Sequence, residues 1–187
     1  PSVRKVVMLN GDGRIWTAEQ AMPEPRDGQL VVQVAASLVS PGTELGGVRA
    51  RRENPTGRTE GRPFGYTNSG VVVATQGDCG EFSVGDRVAG MGGGYALHAT
   101  HACIPHNLCA LVPDGVAFEH AASSHLAATA LHAVQRGKFV IGENIAVAGL
   151  GLVGQLACQI AKIAGAYVMG LDRYPLRVAI AEGIGVG

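Results

Sequence analysis

Gly149-Leu150-Gly151-Leu152-Val153-Gly154 is the stretch on which the fold turns. It follows a short apolar run, Asn144 to Ala148. It opens a segment in which Val153, Leu156, Ala157, Ile160 and Ala164 recur on one face at helical spacing. Gly165 closes that helix, and Tyr167 to Leu171 makes a second apolar strand. Strand, glycine turn, helix and strand form a βαβ unit, whose handedness makes its two strands parallel. In such a turn the first glycine permits the tight bend and the second lets backbone N–H groups reach a pyrophosphate. The third lets helix and strand pack closely, while the helix N-terminus supplies partial positive charge.

The candidate cofactor contacts are therefore Gly149, Gly151, Leu152, Val153 and Gly154. Asp172 ends the second strand, 18 residues beyond Gly154, where a carboxylate can accept hydrogen bonds from an adenosine ribose. It would repel a 2′-phosphate, so NAD(H) is favoured over NADP(H), although Arg173 directly after it could tolerate one. The plain structural alternative is a turn whose glycines serve packing alone, with Asp172 a solvated charge.

Working outward, the rest of the 187 residues reads differently. Val3 to Leu9, Gln29 to Ala36 and Ser69 to Thr75 are β-branched runs, and Phe82 to Ala89 is a turn feeding a short strand. Short strands separated by Gly, Pro and Asp turns favour a small, partly closed barrel. Phe118 to Val134 lacks proline and glycine and predicts a helix. Gly46 to Pro63 is the one polar, mobile-looking stretch. Apolar residues make up 47% of the chain, and 15 basic residues balance 15 acidic ones, so no overall charge points to nucleic acid or an anionic membrane. The longest apolar region, Ile145 to Leu171, is interrupted by Gln155, Gln159 and Lys162, which argues against a membrane span. Cys79, Cys103, Cys109 and Cys158 form no Cys-x-x-Cys pair, and residues 1–5 lack a signal-peptide core. Free thiols and a cytoplasmic location are expected.

Three upstream stretches join the glycine turn in a resemblance to the medium-chain dehydrogenase/reductase superfamily. Ser40-Pro41-Gly42-Thr43-Glu44 resembles the Cys-Gly-Thr-Asp segment of zinc alcohol dehydrogenases, and Gly65 to Gly70 resembles their Gly-His-Glu segment. Val84-Gly85-Asp86-Arg87-Val88 matches the family's Gly-Asp-Arg-Val turn, and Ala127 to Val134 looks like its bridging helix. The resemblance implies a fold of α/β plus β type. A GroES-like domain over residues 1–120 would lead into an incomplete Rossmann domain over residues 121–187, with chemistry in the cleft between them. The Ser-x-Gly-Thr-Glu and Gly-Tyr stretches are similar to the branch that holds bacteriochlorophyllide-type dehydrogenases.

The departures from the family pattern matter as much. Pro41, then Tyr66 (with Thr67 after it), then Ser124 or His125 stand where the family's catalytic zinc ligands would be. A thiolate, an imidazole and a third such donor are needed, so the chain is expected to be zinc-free. His98, His101 and His106 with Cys103 and Cys109 match no zinc spacing, and strand alternation would send His98 and His101 to opposite faces. A doubly wound domain needs about six strands, and the sequence reaches Gly187 roughly where a third would begin. A fragment of a longer protein, homodimeric when whole, is therefore expected, with natural truncation the alternative. Val147, Val153, Leu156, Ile160 and Val168 are expected to lack partners.

Without a metal, proton transfer at the substrate oxygen falls to side chains. Thr43 matches the family's hydroxyl relay position, Tyr66 could polarise a carbonyl, and His125 carries an imidazole that can give or take a proton. Each has a structural alternative: a turn residue, a barrel-rim residue and a satisfied helix histidine. Arg49, Arg51, Arg52, Arg58 and Arg62 crowd one polar loop, which reads either as solvated surface or as a grip for an anionic substrate tail. The sequence thus points to an NAD(H)-dependent oxidoreductase acting on a small alcohol, carbonyl or activated alkene. A non-catalytic nucleotide-binding or interaction protein on the same scaffold is the alternative.

Overall fold

The computed structural model describes residues 2–187, which divide into two compact units, one up to Ser124 and one from His125 onward. The first unit is built on two antiparallel sheets. β1 (Val3–Asn10), β2 (Ile15–Ala21), β3 (Gln29–Ser37), α1 (Gly46–Glu53), β4 (Gly61–Pro63), β5 (Thr67–Gln76), β6 (Arg87–Met91), β7 (His101–Pro105), β8 (Cys109–Leu111) and α2 (Phe118–Ala121) follow in order. One sheet has the order β2-β1-β4 and the other β7-β3-β5-β6-β8. A bridge between Val6 and Ala99 ties the first sheet to the segment leading into β7. Leu30, Val32, Val72, Val88 and Ile104, alternate β-branched and aliphatic residues of the larger sheet, fill its main core.

The start of β5 is polar and yet fully buried. The Thr67 hydroxyl donates to the Ala122 carbonyl at 2.7 Å and the Ser69 hydroxyl to that of Phe118 at 2.6 Å. The Asn68 amide donates to the Leu97 carbonyl at 3.0 Å. A buried hydroxyl or amide is tolerated only when it is hydrogen-bonded, and these three pin α2 and the residue 97 loop to the strand.

The second unit holds α3 (Ser124–Gly137), β9 (Asn144–Ala148), α4 (Leu152–Ile163), β10 (Tyr167–Leu171) and α5 (Pro175–Gly183). β9 and β10 pair in parallel, from Tyr167 opposite Asn144 to Leu171 opposite Ala148. The Gly187 N–H donates to the Val168 carbonyl and the Gly187 carbonyl accepts from Gly170 N–H. That is the bonding pattern of a further parallel strand on β10. Leu150, Cys158, Ala161, Val168, Ala181 and Val186 form this unit's core. Among the described residues no helix is long and apolar enough to cross a membrane.

Four expectations change. The single helix over Phe118 to Val134 is two helices, with a turn at Ala122 and Ser123 between α2 and α3. Ser123 Oγ bonds the His120 carbonyl at 2.6 Å there, a local bond that competes with helix continuation. The polar stretch Gly46 to Pro63 contains α1 and β4, with an Arg49–Glu53 pair at 2.7 Å across one helical turn. Val168 is buried and Val147 packs against the same core, whereas Val153 is exposed as expected, together with Ile163, Tyr167, Met169 and Leu176. His98 lies before β7 rather than within it, so strand alternation does not govern its direction.

Candidate functional site

The glycine turn of the second unit joins β9 to α4. Gly149 has φ +95°, a left-handed conformation that disfavours a side chain, and its N–H donates to the Leu171 carbonyl at 2.7 Å. A Cβ on Gly154 would lie 1.8 Å from the Gly149 carbonyl oxygen, so the third glycine is what lets α4 sit against the turn. Around Gly149 and Gly151, by contrast, an added Cβ would meet open space. Gly151 caps α4 with no side-chain bond to the first-turn N–H groups, and Leu152 and Val153 form that first turn. Bare N–H groups at the positive end of a helix, facing open space, fit a pyrophosphate.

Asp172 is tied into this turn. Oδ2 accepts the Leu150 N–H at 2.7 Å and lies 3.3 Å from Arg177 Nη1, while Oδ1 accepts the Tyr174 N–H at 2.9 Å. Three of a carboxylate's roughly four lone-pair sites are thus used, which leaves room on Oδ1. The Tyr174 N–H, assisted by the Leu150 N–H and Arg177, holds the carboxyl below its ordinary range despite some desolvation. Arg173 and Arg177 both stack on the Tyr174 ring, with guanidinium carbons 4.9 and 4.6 Å from its centroid.

In the first unit, a cavity of about 540 Å³ is lined by Thr43, Glu44 and Tyr66 together with Arg51, Arg58 and Arg62. Thr43 sits on the wide turn Pro41–Leu45, and Tyr66 immediately precedes β5, its carbonyl accepting the Gly92 N–H. The fold therefore brings together two of the catalytic candidates and three of the five loop arginines. Arg51 Nη1 donates to the Gly47 carbonyl at 2.9 Å. Arg49 pairs with Glu53, and Arg52 Nε donates to the Gly13 carbonyl, so neither turns its charge to the cavity. His125 belongs to the second unit, half-buried on the first turn of α3, its carbonyl accepting the Thr129 hydroxyl. Glu44 was not singled out by sequence; it is buried in the wall of the cavity, bound to His98.

Pro41 has no donor side chain, and the Thr67 hydroxyl is spent on the Ala122 carbonyl. Among the described residues no three His, Cys, Asp or Glu side chains gather as a metal group.

No family model matches the chain. It is similar to an uncharacterized zinc-type alcohol dehydrogenase-like protein of Escherichia coli, 26% identical over 95% of this chain and 60% of that protein. It is also similar to the sorbitol dehydrogenase of Bacillus subtilis, 30% identical over 66% of this chain and 44% of that one. The chain spans about half the length of the curated relatives it matches. Among solved structures, the 2R,3R-butanediol dehydrogenase of Bacillus subtilis superposes with a TM-score of 0.81 at 22% identity, covering 98% of this chain and 62% of that one. A Sinorhizobium meliloti protein bound to NADP gives 0.84 at 23%, covering 100% and 61%. The fold is thus GroES-like in the first unit, with no closed barrel, and the opening of a doubly wound dinucleotide fold in the second. The curated relatives that it matches are named as zinc-type alcohol dehydrogenase-like proteins and a sorbitol dehydrogenase.

Proposed function

We propose that the chain is the substrate-side unit and the nucleotide-turn portion of an NAD(H)-dependent oxidoreductase that works without catalytic zinc. The observation that carries this reading is the turn itself: uncapped helix N–H groups, open space at Gly149 and Gly151, and Asp172 fixed beside them. Gly149, Gly151, Leu152, Val153 and Gly154 would hold the pyrophosphate, and Asp172 the ribose. The nicotinamide, when bound, supplies or accepts hydride. The named relatives, a sorbitol dehydrogenase and a butanediol dehydrogenase among them, support an alcohol or carbonyl substrate.

In this reading Thr43 and Tyr66 exchange a proton with the substrate oxygen, and His125 is a further candidate. Arg51, Arg58 and Arg62 hold an anionic tail such as a carboxylate or phosphate, since guanidinium groups match both as planar forks. Calorimetric titration with NADH and NADPH tests the cofactor assignment. NADH should bind more tightly, and Asp172→Ala should narrow the gap. Arg173 and Arg177 on Tyr174 supply the competing outcome, since both can meet a 2′-phosphate; preference for NADPH would contradict the assignment.

A further inference from the structure

Three side chains of the first unit, none of them a catalytic candidate from sequence, form a hydrogen-bonded chain. Ser37 ends β3, and its Oγ lies 2.9 Å from His98 Nδ1. His98 Nε2 lies 3.1 Å from Glu44 Oε1, and Glu44 Oε2 accepts the Ser40 backbone N–H at 2.7 Å. His98 and Glu44 are 7% and 5% exposed, whereas Ser37 is open to solvent.

His98 is fixed through its backbone as well as its ring. Its backbone N–H donates to the Phe64 carbonyl, its carbonyl accepts the Val7 N–H, and the Phe64 ring meets it edge-on at 5.6 Å. Gly65, at φ +122°, passes so close that an added Cβ would lie 2.3 Å from the His98 backbone nitrogen. The register of β3 against β5 shifts between Val34 and Ala36, just ahead of Ser37. Such bulges re-aim the side chains that follow them.

The protonation pattern follows from donor chemistry. An ionised carboxylate only accepts, so with Glu44 charged the proton sits on Nε2 of His98. Nδ1 is then left to accept from the Ser37 hydroxyl. A serine O–H on an unprotonated imidazole nitrogen, with the imidazole oriented by a carboxylate, is the arrangement that activates a nucleophilic serine. Roles are set by geometry rather than by order in the chain. Ser37 and His98 open into a cleft of about 250 Å³ whose walls include Val6, Val7 and Ala99, with Lys5 also lining it. That volume suits a short acyl group.

We propose that Ser37, His98 and Glu44 form a second reactive site, in which Ser37 takes a small acyl group from an activated ester. The Ser37 oxygen bonds to the acyl carbonyl carbon while its proton passes to His98 Nδ1. The alcohol then leaves with that proton. Water next attacks the acyl-serine, giving its own proton to His98, and the acid departs as the Ser37 hydroxyl is restored. Ser37 is the catalytic nucleophile, His98 its base and Glu44 a positioning residue. No nicotinamide takes part, so the site stands independently of the oxidoreductase reading.

Treating the intact chain with a fluorophosphonate probe, followed by peptide mass spectrometry, tests the site. One adduct on Ser37 is expected, together with acetylation of Ser37 and release of nitrophenol from p-nitrophenyl acetate. Ser37→Ala, at an exposed position, should keep the fold and lose both. Glu44→Gln should slow labelling about 100-fold or more, the span of general-base catalysis, with Glu44→Asp restoring part of the rate. Nitrogen NMR of His98 should show the Nε2–H tautomer, displaced in Glu44→Gln. No adduct on Ser37, labelling undiminished in Ser37→Ala, or a rate unmoved by Glu44→Gln in a folded protein overturns the proposal.

Discussion

The glycine turn of the second unit and the cavity of the first are both candidate binding surfaces, but they are built in opposite ways. The turn is made of backbone: φ +95° at Gly149, a carbonyl where a Gly154 Cβ would be, and a carboxylate clamped on the Leu150 N–H. Site and fold are the same atoms there. The cavity is made of side chains brought from separate segments: Thr43, Arg51, Arg58, Arg62 and Tyr66. Its fold is secured elsewhere, by the buried polar bonds of β5. The turn should therefore lose structure and binding together, whereas the cavity should lose them separately.

The largest effect should come from Gly154→Ala. Its Cβ would fall 1.8 Å from a backbone oxygen, so the cost should reach at least the ~1–3 kcal/mol typical of overpacking. Thermal unfolding and NADH titration should fall together; a variant of wild-type stability would break the comparison. Next comes Thr67→Val, which removes the hydroxyl from the Ala122 carbonyl. An unfolding midpoint shift equivalent to about 1–3 kcal/mol is expected, read by denaturant titration, with the NADH titration unchanged.

Asp172→Asn probes the clamp by pH. The native carboxyl titrates below its ordinary value, chiefly because of the Tyr174 N–H. Its contribution is therefore fully present above the unfolded value, about 3.9, and is lost as pH falls from there through the native value. Acid unfolding of the wild type should be steeper in that window than that of the variant, and parallel curves would refute the clamp. The smallest structural effect should be that of Arg58→Ala, within about 0.5 kcal/mol in stability. It should nonetheless weaken protection by inorganic phosphate in thermal shift. Loss of stability without loss of phosphate binding would reverse the assignment of the cavity.

The same contrast explains what was legible in the sequence. β9, the turn and β10 were readable to the residue, because local backbone constraints leave glycines and apolar runs at fixed offsets. The partnership of Glu44 with His98 spans 54 positions and leaves no periodic trace. α1 reads as loop because Val48 is its one buried residue and three arginines dominate it; the Arg49–Glu53 spacing is the available helical signal. β2 has no fully buried position, so its alternation carries little apolar contrast. The break at Ala122 and Ser123 has neither glycine nor proline to mark it.

The run Thr67-Asn68-Ser69 has a further consequence. Its side chains point alternately to opposite faces of β5, two hydroxyls toward carbonyls at 122 and 118 and one amide toward that at 97. Slipping β5 by one residue would exchange the faces and strand all three donors. A slip by two would still leave the end of the run facing the wrong carbonyl. An apolar strand could shift against its neighbours during folding at modest cost, but this one is keyed like a lock with pins of unequal length. Tyr66, the residue before the first pin, thus inherits its place in the cavity wall from bonds it does not make.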